Sequence, residues 1–342
     1  MAESGTSRIH DELASRARRA LLRAMVVALG APLVSLAQQK IWRLGFLAAR
    51  SRSTASNPDI YYDAFVQEMR SLGYVEDKNL VIEWRFADGN YNRLPGLAAE
   101  LVRSNVDAIV THGTPGVQAA KQATTTIPVV MAAVGDAVAA GLVTSLARPG
   151  GNITGLSFFQ QELMSKRVEL LKEVMPRANR IGYLMNLGNA SAMGPTLRAM
   201  EDAAKALKIE LQEFAVRGPK DFESAFSAMA KGRVDGLVIS EESTMLANAK
   251  AIADLAARQR LPAVGGREFV EAGGVMGYGM NLVELYRRGA QIVDKVFKGA
   301  KPGEIPVEQP RVFELLINMK AAKALGIKIP QSILVRAEKV IE

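Results

Sequence analysis

Apolar residues in this chain fall into short unbroken runs, separated by longer stretches in which they recur every three or four positions. The runs "IWRLGFLA" (41–48), "VDAIVT" (106–111) and "IPVVMAA" (127–133) have strand length, and "NLVIEWRF" (79–86) alternates as a strand. Between them, "DIYYDAFVQEMRSLGY", "NRLPGLAAELVRS" and "GTPGVQAAKQA" carry helical spacing, the first stopped by Gly73. The second half keeps the cadence: "RIGYLMN" (180–186), a helix over 195–207, "IELQEFAV", a helix over 220–231, "VDGLVIS", a helix over 245–259 and "LPAVGG". Strands that are continuous apolar runs, alternating with helices, predict parallel sheets covered on both faces.

One phrase is stated twice. "NVDAIVTH" (105–112) reappears as "RVDGLVIS" (233–240), and each copy leads through a helix to a Pro-containing run, "IPVV" (127–130) or "LPAV" (261–264). Two similar α/β lobes would produce this; a generic likeness between βα units is the competing explanation. Doubly wound sheets bind ligands beyond the carboxyl ends of their strands, so two facing lobes predict one shared cleft.

Composition narrows the class. At 342 residues and 49% hydrophobic, the chain has enough material for two cores. Its net charge of +8 comes from Lys and Arg dispersed among Asp and Glu, with no basic run and no nucleic-acid module. A solvated basic surface is therefore expected, without a nucleic-acid partner. With no cysteine, disulfides, thiol catalysis, cysteine–zinc sites and a lipoprotein anchor are excluded. The segment "RARRALLRAMVVALGAPLVSLA" (16–37) reads as a cleavable leader over residues 1–37: a basic start, an apolar stretch short for a membrane span, then Ser35 and Ala37 at the positions a signal peptidase prefers. Export to the periplasm follows, by the general or the twin-arginine route, since Arg18–Arg19 fits both.

Three long stretches carry a family likeness: "VGDAVAAGLVTSLARPGGNITGLS" (134–157), "GREFVEAGGVMGYGMNLVELYRRGAQIVDKVFKGAKP" (266–302) and "PVEQPRVFELLINMKAAKALGIKIP" (306–330). They resemble the ABC-transporter substrate-binding proteins related to tryptophan- and tyrosine-binding periplasmic proteins. The resemblance covers about residues 40–342. It implies a type I periplasmic binding fold: two doubly wound parallel-sheet lobes joined by a hinge of three crossovers, near "NITGLS", "GYGMN" and "RVFELLIN". On that implication the N-terminal lobe comprises 38–156 plus 281–312, and the C-terminal lobe 157–280 plus 313–342.

Catalytic chemistry is poorly provided for. The two histidines, His10 and His112, cannot form a His-based metal cluster or a Ser-His-Asp triad once the leader is gone. "GLSFF" lacks the second glycine of a nucleophile elbow, and "GGNITGLS" has Leu156 where a phosphate loop needs Lys. No enzyme activity, metal or cofactor is expected. What remains suits a small polar solute. Gly113 and Thr114 open a helix where free N–H groups favour a carboxylate, although Thr114 also fits a plain N-cap. Asp136 can pair with a ligand ammonium or cap the next helix. Ser51, Ser53 and Thr54 lie in the first strand–helix loop, and Tyr61 and Tyr62 open the following helix, one toward the cleft and one packed. In the second half, Asn186, Ser240, Glu241 and Ser243 end strands, while Arg267, Glu268 and Phe269 follow "LPAVGG". Arg267 can fork onto a carboxylate or pair with Glu268 or Glu271. Tyr278 sits in a candidate crossover.

The expected protein is thus a monomeric, exported solute-binding component of an ABC importer. It takes a small carboxylate-bearing solute, an amino acid and an aromatic one by preference, and docks on an inner-membrane permease. A ligand sensor of a signalling system, on the same fold, is the rival.

Overall fold

A computed structural model describes residues 40–52, 59–310 and 312–342, with the side chains of 190–193 excepted. The leader (1–37), Ser53 and Thr54 lie outside the described residues. From residue 41 onward the chain forms one compact unit.

The elements run β1 (Trp42–Ala48), α1 (Ile60–Ser71), β2 (Leu80–Phe86), α2 (Leu94–Arg103), β3 (Ala108–His112), α3 (Thr114–Ala123), β4 (Val129–Gly135) and β5 (Ile153–Phe158). There follow α4 (Gln160–Val174), β6 (Arg180–Asn186), α5 (Ala190–Ala206), β7 (Glu210–Val216), α6 (Phe222–Lys231), β8 (Gly236–Ile239), α7 (Ser243–Ala247), α8 (Ala249–Arg258), β9 (Ala263–Gly265) and α9 (Arg267–Glu271). The chain ends with β10 (Met276–Met280), α10 (Leu282–Phe297), β11 (Phe313–Asn318), α11 (Met319–Leu325), α12 (Gln331–Leu334) and β12 (Lys339–Ile341).

These strands make two sheets, ordered β2-β1-β3-β4-β5 and β12-β11-β10-β9-β8-β6-β7. Strands β7-β6-β8-β9-β10 of the second repeat the order β2-β1-β3-β4-β5 of the first. The doubled phrase therefore occupies equivalent places, β3 and β8, beside the first strand of each lobe. Its Asp has the same task in both. Asp107 accepts from the Arg43 amide at 2.8 Å, and Asp235 from the Arg180 amide at 2.9 Å. The amides of the two aspartates return bonds to the carbonyls of Arg43 and Arg180. Each pair fixes the register between neighbouring strands, where a buried sheet tolerates no slip. The prolines match as well: Pro128 and Pro262 lack N–H groups but accept from Ile109 and Leu237 across the adjacent strand.

The expected parallel sheets are present, with one exception: β10 and β11 run antiparallel. The cause is connectivity. After β10 the chain leaves for α10, whose Leu285, Tyr286, Ile292 and Val293 are buried in one cluster with Phe46, Phe65 and Ala132 of the first lobe. It returns where β10 ended, so β11 must run back. On the way, the Glu308 amide donates to the Gly155 carbonyl and the Ser157 amide donates to the Glu308 carbonyl, both at 2.9 Å, which lays this segment along β5. Strand β5 itself pairs with β4 as far as Phe158, beyond the expected lobe boundary at 156.

Candidate functional site

Residues just beyond the carboxyl ends of β1 (49–52), β2 (88–92), β6 (186–188) and β7 (217–221), with Ser243, Thr244 and Asn248 after β8 and Glu268 after β9, line a cavity of about 1040 Å³. This is where open α/β sheets hold ligands. Its charged lining is balanced: Arg50, Arg52, Arg217 and Lys220 against Asp59, Asp88, Asp221 and Glu268. Such a wall suits a zwitterion or a small polar molecule better than a polyanion.

Arg50 is the centre of the first-lobe wall. Asp59 is the N-cap of α1, accepting from the Tyr61 amide at 3.0 Å and the Tyr62 amide at 3.2 Å. The same carboxylate holds Arg50 Nη2 at 2.8 Å. The guanidinium carbon lies 5.0 Å from both the Tyr61 and Tyr62 ring centroids, within cation–π range. Arg50 is only 6% exposed. Burial opposes its charge, yet Tyr286, Tyr62, Asp59 and Glu268 outweigh burial and raise its pKa. Among the described residues its Nε and Nη1 nevertheless have no hydrogen-bond partner, and neither do the buried Tyr61 and Tyr286 hydroxyls or His112 Nδ1. Buried polar atoms are nearly always paired, so this concentration of unpaired ones marks a place built for other atoms. His112, stacked on Tyr286 with centroids 5.5 Å apart, is pushed down to about 3 by burial and by Arg50, and stays neutral.

From the second lobe comes Glu268, half-buried, with Oε2 buried and unpartnered. Burial, aided by Glu271 and Asp59, lifts its carboxyl to about 7 against the opposing pull of Arg50.

At another point the lobes touch. Tyr91, in the turn after β2, donates its hydroxyl to Glu242 and accepts from Thr244 Oγ1 at 3.2 Å. Glu242 also caps α7 through the amides of Thr244 (3.1 Å) and Met245 (3.0 Å). Asn186 Nδ2 donates to Thr244 Oγ1 at 2.8 Å, and its Oδ1 accepts from the Gly188 amide at 2.7 Å. The Tyr91 ring lies against Gly188, where a Cβ would come within 2.7 Å of Tyr91 Cδ2, so no larger residue fits there without moving the ring. Burial, then Glu242, raises the Tyr91 pKa well above its ordinary value; burial likewise raises that of Glu242.

Of the residues singled out in the sequence, Ser51, Tyr61, Asn186 and Ser243 line this cavity. Gly113, Thr114 and Glu241 border a small adjoining recess, where Gly113 adopts φ +79° to open α3. Several readings need correction. Arg267 forks onto no ligand: it pairs with Glu314, and with Glu271 at 3.3 Å, away from the cavity. Phe269 packs in the core of the second lobe under Gly265 and Gly274. Tyr278 stacks on Phe313 at 5.8 Å, and Ser240 is buried outside the cavity lining. Asp136 caps the turn after β4, accepting from Val138 and Ala139, and also accepts from Gln161. The Glu241 carboxylate is taken by Arg167. The sequence reading missed Arg50, Asp59, Tyr91, Glu242, Thr244 and Asn248, and named Glu268 as a strand-end residue and a partner for Arg267 without a role toward a ligand. Position at a strand end was the available signal, and Arg50 has it.

Two α/β lobes with a polar cavity between their strand ends define a solute-binding protein of the two-lobed class. A sequence model of the family described as ABC transporter substrate binding protein matches residues 57–341, and the chain belongs to that family. By family it is a binding protein and not an enzyme. It is 28% identical over 265 residues, 77% of this chain and 76% of the relative, to the tyrosine-binding protein of Clostridioides difficile (strain R20291). Among solved structures, a conserved domain protein from Vibrio cholerae is 30% identical with a TM-score of 0.80, the match covering 88% of this chain and all of that one. The ABC domain in complex with L-Trp from Streptococcus pneumonia is 26% identical with a TM-score of 0.78 over the same shares.

Proposed function

We propose that this protein is the exported solute-capturing component of an ABC importer, and that its solute is an amino acid, with an aromatic one favoured, bound by its carboxylate at Arg50. The single observation that carries this reading is the pair of unpartnered Arg50 N–H groups, Nε and Nη1, on a buried guanidinium at the cavity wall. Nε and Nη1 face different sides of the guanidinium, and either can give a charge-assisted hydrogen bond to a carboxylate oxygen. Tyr61 and Tyr286 offer hydroxyls beside it. The tyrosine-binding relative and the L-Trp-bound structure support an aromatic side chain.

On this reading residues 38–158 with 281–312, and 159–280 with 313–342, move as two lobes. Solute shifts them toward a closed form by binding that form more tightly, and the closed form docks on a permease in the inner membrane. The leader over 1–37 delivers the protein, as a monomer, to the periplasm.

Titration calorimetry of the chain from Gln38 with L-tryptophan, L-tyrosine, aliphatic amino acids and sugars tests the proposal. Binding of amino acids is expected in wild type. In Arg50→Met it is expected to weaken by one to two orders of magnitude, about 1.5–3 kcal/mol for a charge-assisted hydrogen bond. A variant that folds, by circular dichroism, and binds as wild type does would overturn the assignment, as would sugar binding in place of amino acids.

A further inference from the structure

The cavity carries a second charged group that the carboxylate reading leaves idle. Glu268 lines the same cavity from the opposite lobe, and its Oε2 is buried with no hydrogen-bond partner among the described residues. Arg50 and Glu268 are close enough to perturb each other electrostatically, yet no hydrogen bond or ion pair joins them. The other acidic groups around Glu268 are engaged. Glu241, which flanks Gly266 on the same side, is paired with Arg167, Asp59 with Arg50, and Glu271 with Arg267. Among the charged lining residues, one cation and one anion, on facing lobes, carry unsatisfied buried atoms. A molecule bearing a carboxylate and an ammonium on neighbouring atoms satisfies both.

We infer that Glu268 is the ammonium-reading residue of the site, so that the protein selects α-amino acids and rejects the same side chains carried on plain carboxylic acids. The inference rests on the amino-acid reading above. Its physical basis is asymmetric. An acid without the ammonium places a second carboxylate near Glu268 and leaves that group unpaired in the closed cleft, and unpaired buried polar groups are what give sites their largest discrimination. The division between lobes adds a consequence: the carboxylate half binds the first lobe, and the ammonium half draws in the second. A deaminated analogue should occupy Arg50 without closing the cleft.

The experiment compares L-tryptophan with indole-3-propionate, and L-tyrosine with 3-(4-hydroxyphenyl)propionate, on wild type and on Glu268→Gln. Affinity comes from calorimetry and closure from small-angle X-ray scattering. Gln is the same size and leaves no cavity; an unliganded unfolding midpoint within a few degrees of wild type confirms that it folds. Wild type should bind the amino acids at least 100-fold more tightly than the deaminated acids, and compact only with the former. In Glu268→Gln the preference should fall at least tenfold, mainly by weaker amino-acid binding. Equal affinity for both members of each pair in wild type, or an unchanged preference in Glu268→Gln, would overturn the inference while leaving Arg50 as the carboxylate site. Binding of neither member would instead sink the amino-acid reading beneath it.

Discussion

Replacing Tyr91 with Phe removes one oxygen atom and cuts the hydrogen-bonded contact between the lobes. That hydroxyl donates to Glu242 and accepts from Thr244 Oγ1 at 3.2 Å; with the lobes apart it would be hydrated. A hydrogen bond to a charged group contributes about 1.5–3 kcal/mol net. Glu242 keeps its two amide donors from Thr244 and Met245, so the variant leaves no orphaned charge. The lower part of the range, about 1.5–2 kcal/mol, therefore applies, and the closed-to-open ratio should fall about 10- to 30-fold. Solute binding reports the same quantity, because affinity scales with the fraction of molecules able to close. Calorimetry should show an affinity for the cognate amino acid reduced by up to the same factor in Tyr91→Phe, and scattering at subsaturating amino acid a larger radius of gyration than in wild type. The unfolding midpoint should move little, since the ring remains seated on Gly188. An unchanged radius together with an affinity within twofold of wild type would refute the role of Tyr91 in closure.

Two further outcomes follow from groups with defined surroundings. Arg167 is fully buried in α4 and donates to the carbonyls of Tyr278 (2.8 Å) and Ile239 (2.7 Å) and to Glu241. Arg167→Met should destabilise the protein by about 3–5 kcal/mol in denaturant titration, with partial recovery on adding Glu241→Gln, because the single change strands a buried carboxylate. Affinity should also depend on pH through Glu268, whose neighbours are Arg50, Asp59, Glu271 and Glu241, with His112 neutral throughout the range. An ammonium ligand requires the ionised carboxyl, which burial holds near 7 in the free protein. Binding is thus strongest above that value and weakens as pH falls, approaching about tenfold per unit between pH 6 and 5. A flat profile from pH 8 to 5 in calorimetry would contradict it.

The fold was largely legible because it rests on patterns that one chain states locally. Apolar runs marked the inner strands, and the doubled "VD" phrase marked equivalent strands, since register at β3 and β8 is fixed by the same Asp-to-amide bonds. Helix α4 was not legible. Its apolar positions Leu163, Met164, Val168, Leu170 and Leu171 are interrupted by Arg167, a charge that reads as surface and is in fact fully buried. The reading over 245–259 merged α7 and α8, which break at Asn248, because helical spacing continues across the break. The antiparallel β11 could not be foreseen from periodicity, which carries no information on direction.

The site was harder to read for a different reason. Position at a strand end is visible in sequence, and it brought in Ser51, Tyr61 and Asn186. Pairing is not visible, and pairing decides which charged groups remain available to a ligand. Arg267 and Arg50 both follow strand ends. Arg267 is consumed by Glu271 and Glu314, whereas Arg50 meets Asp59 with one nitrogen and leaves two free. Glu241 and Glu268 make the same contrast, the first neutralised by Arg167 and the second left with an unpartnered oxygen. In each case the partner that settles the matter is distant in the chain, Glu314 for Arg267 and Arg167 for Glu241. A binding group is thus defined by what the rest of the fold leaves unsatisfied. That property belongs to the assembled cleft, which is why the residues proposed to bind the solute stood one position from those the sequence suggested: Arg50 before Ser51, and Glu268 after Arg267.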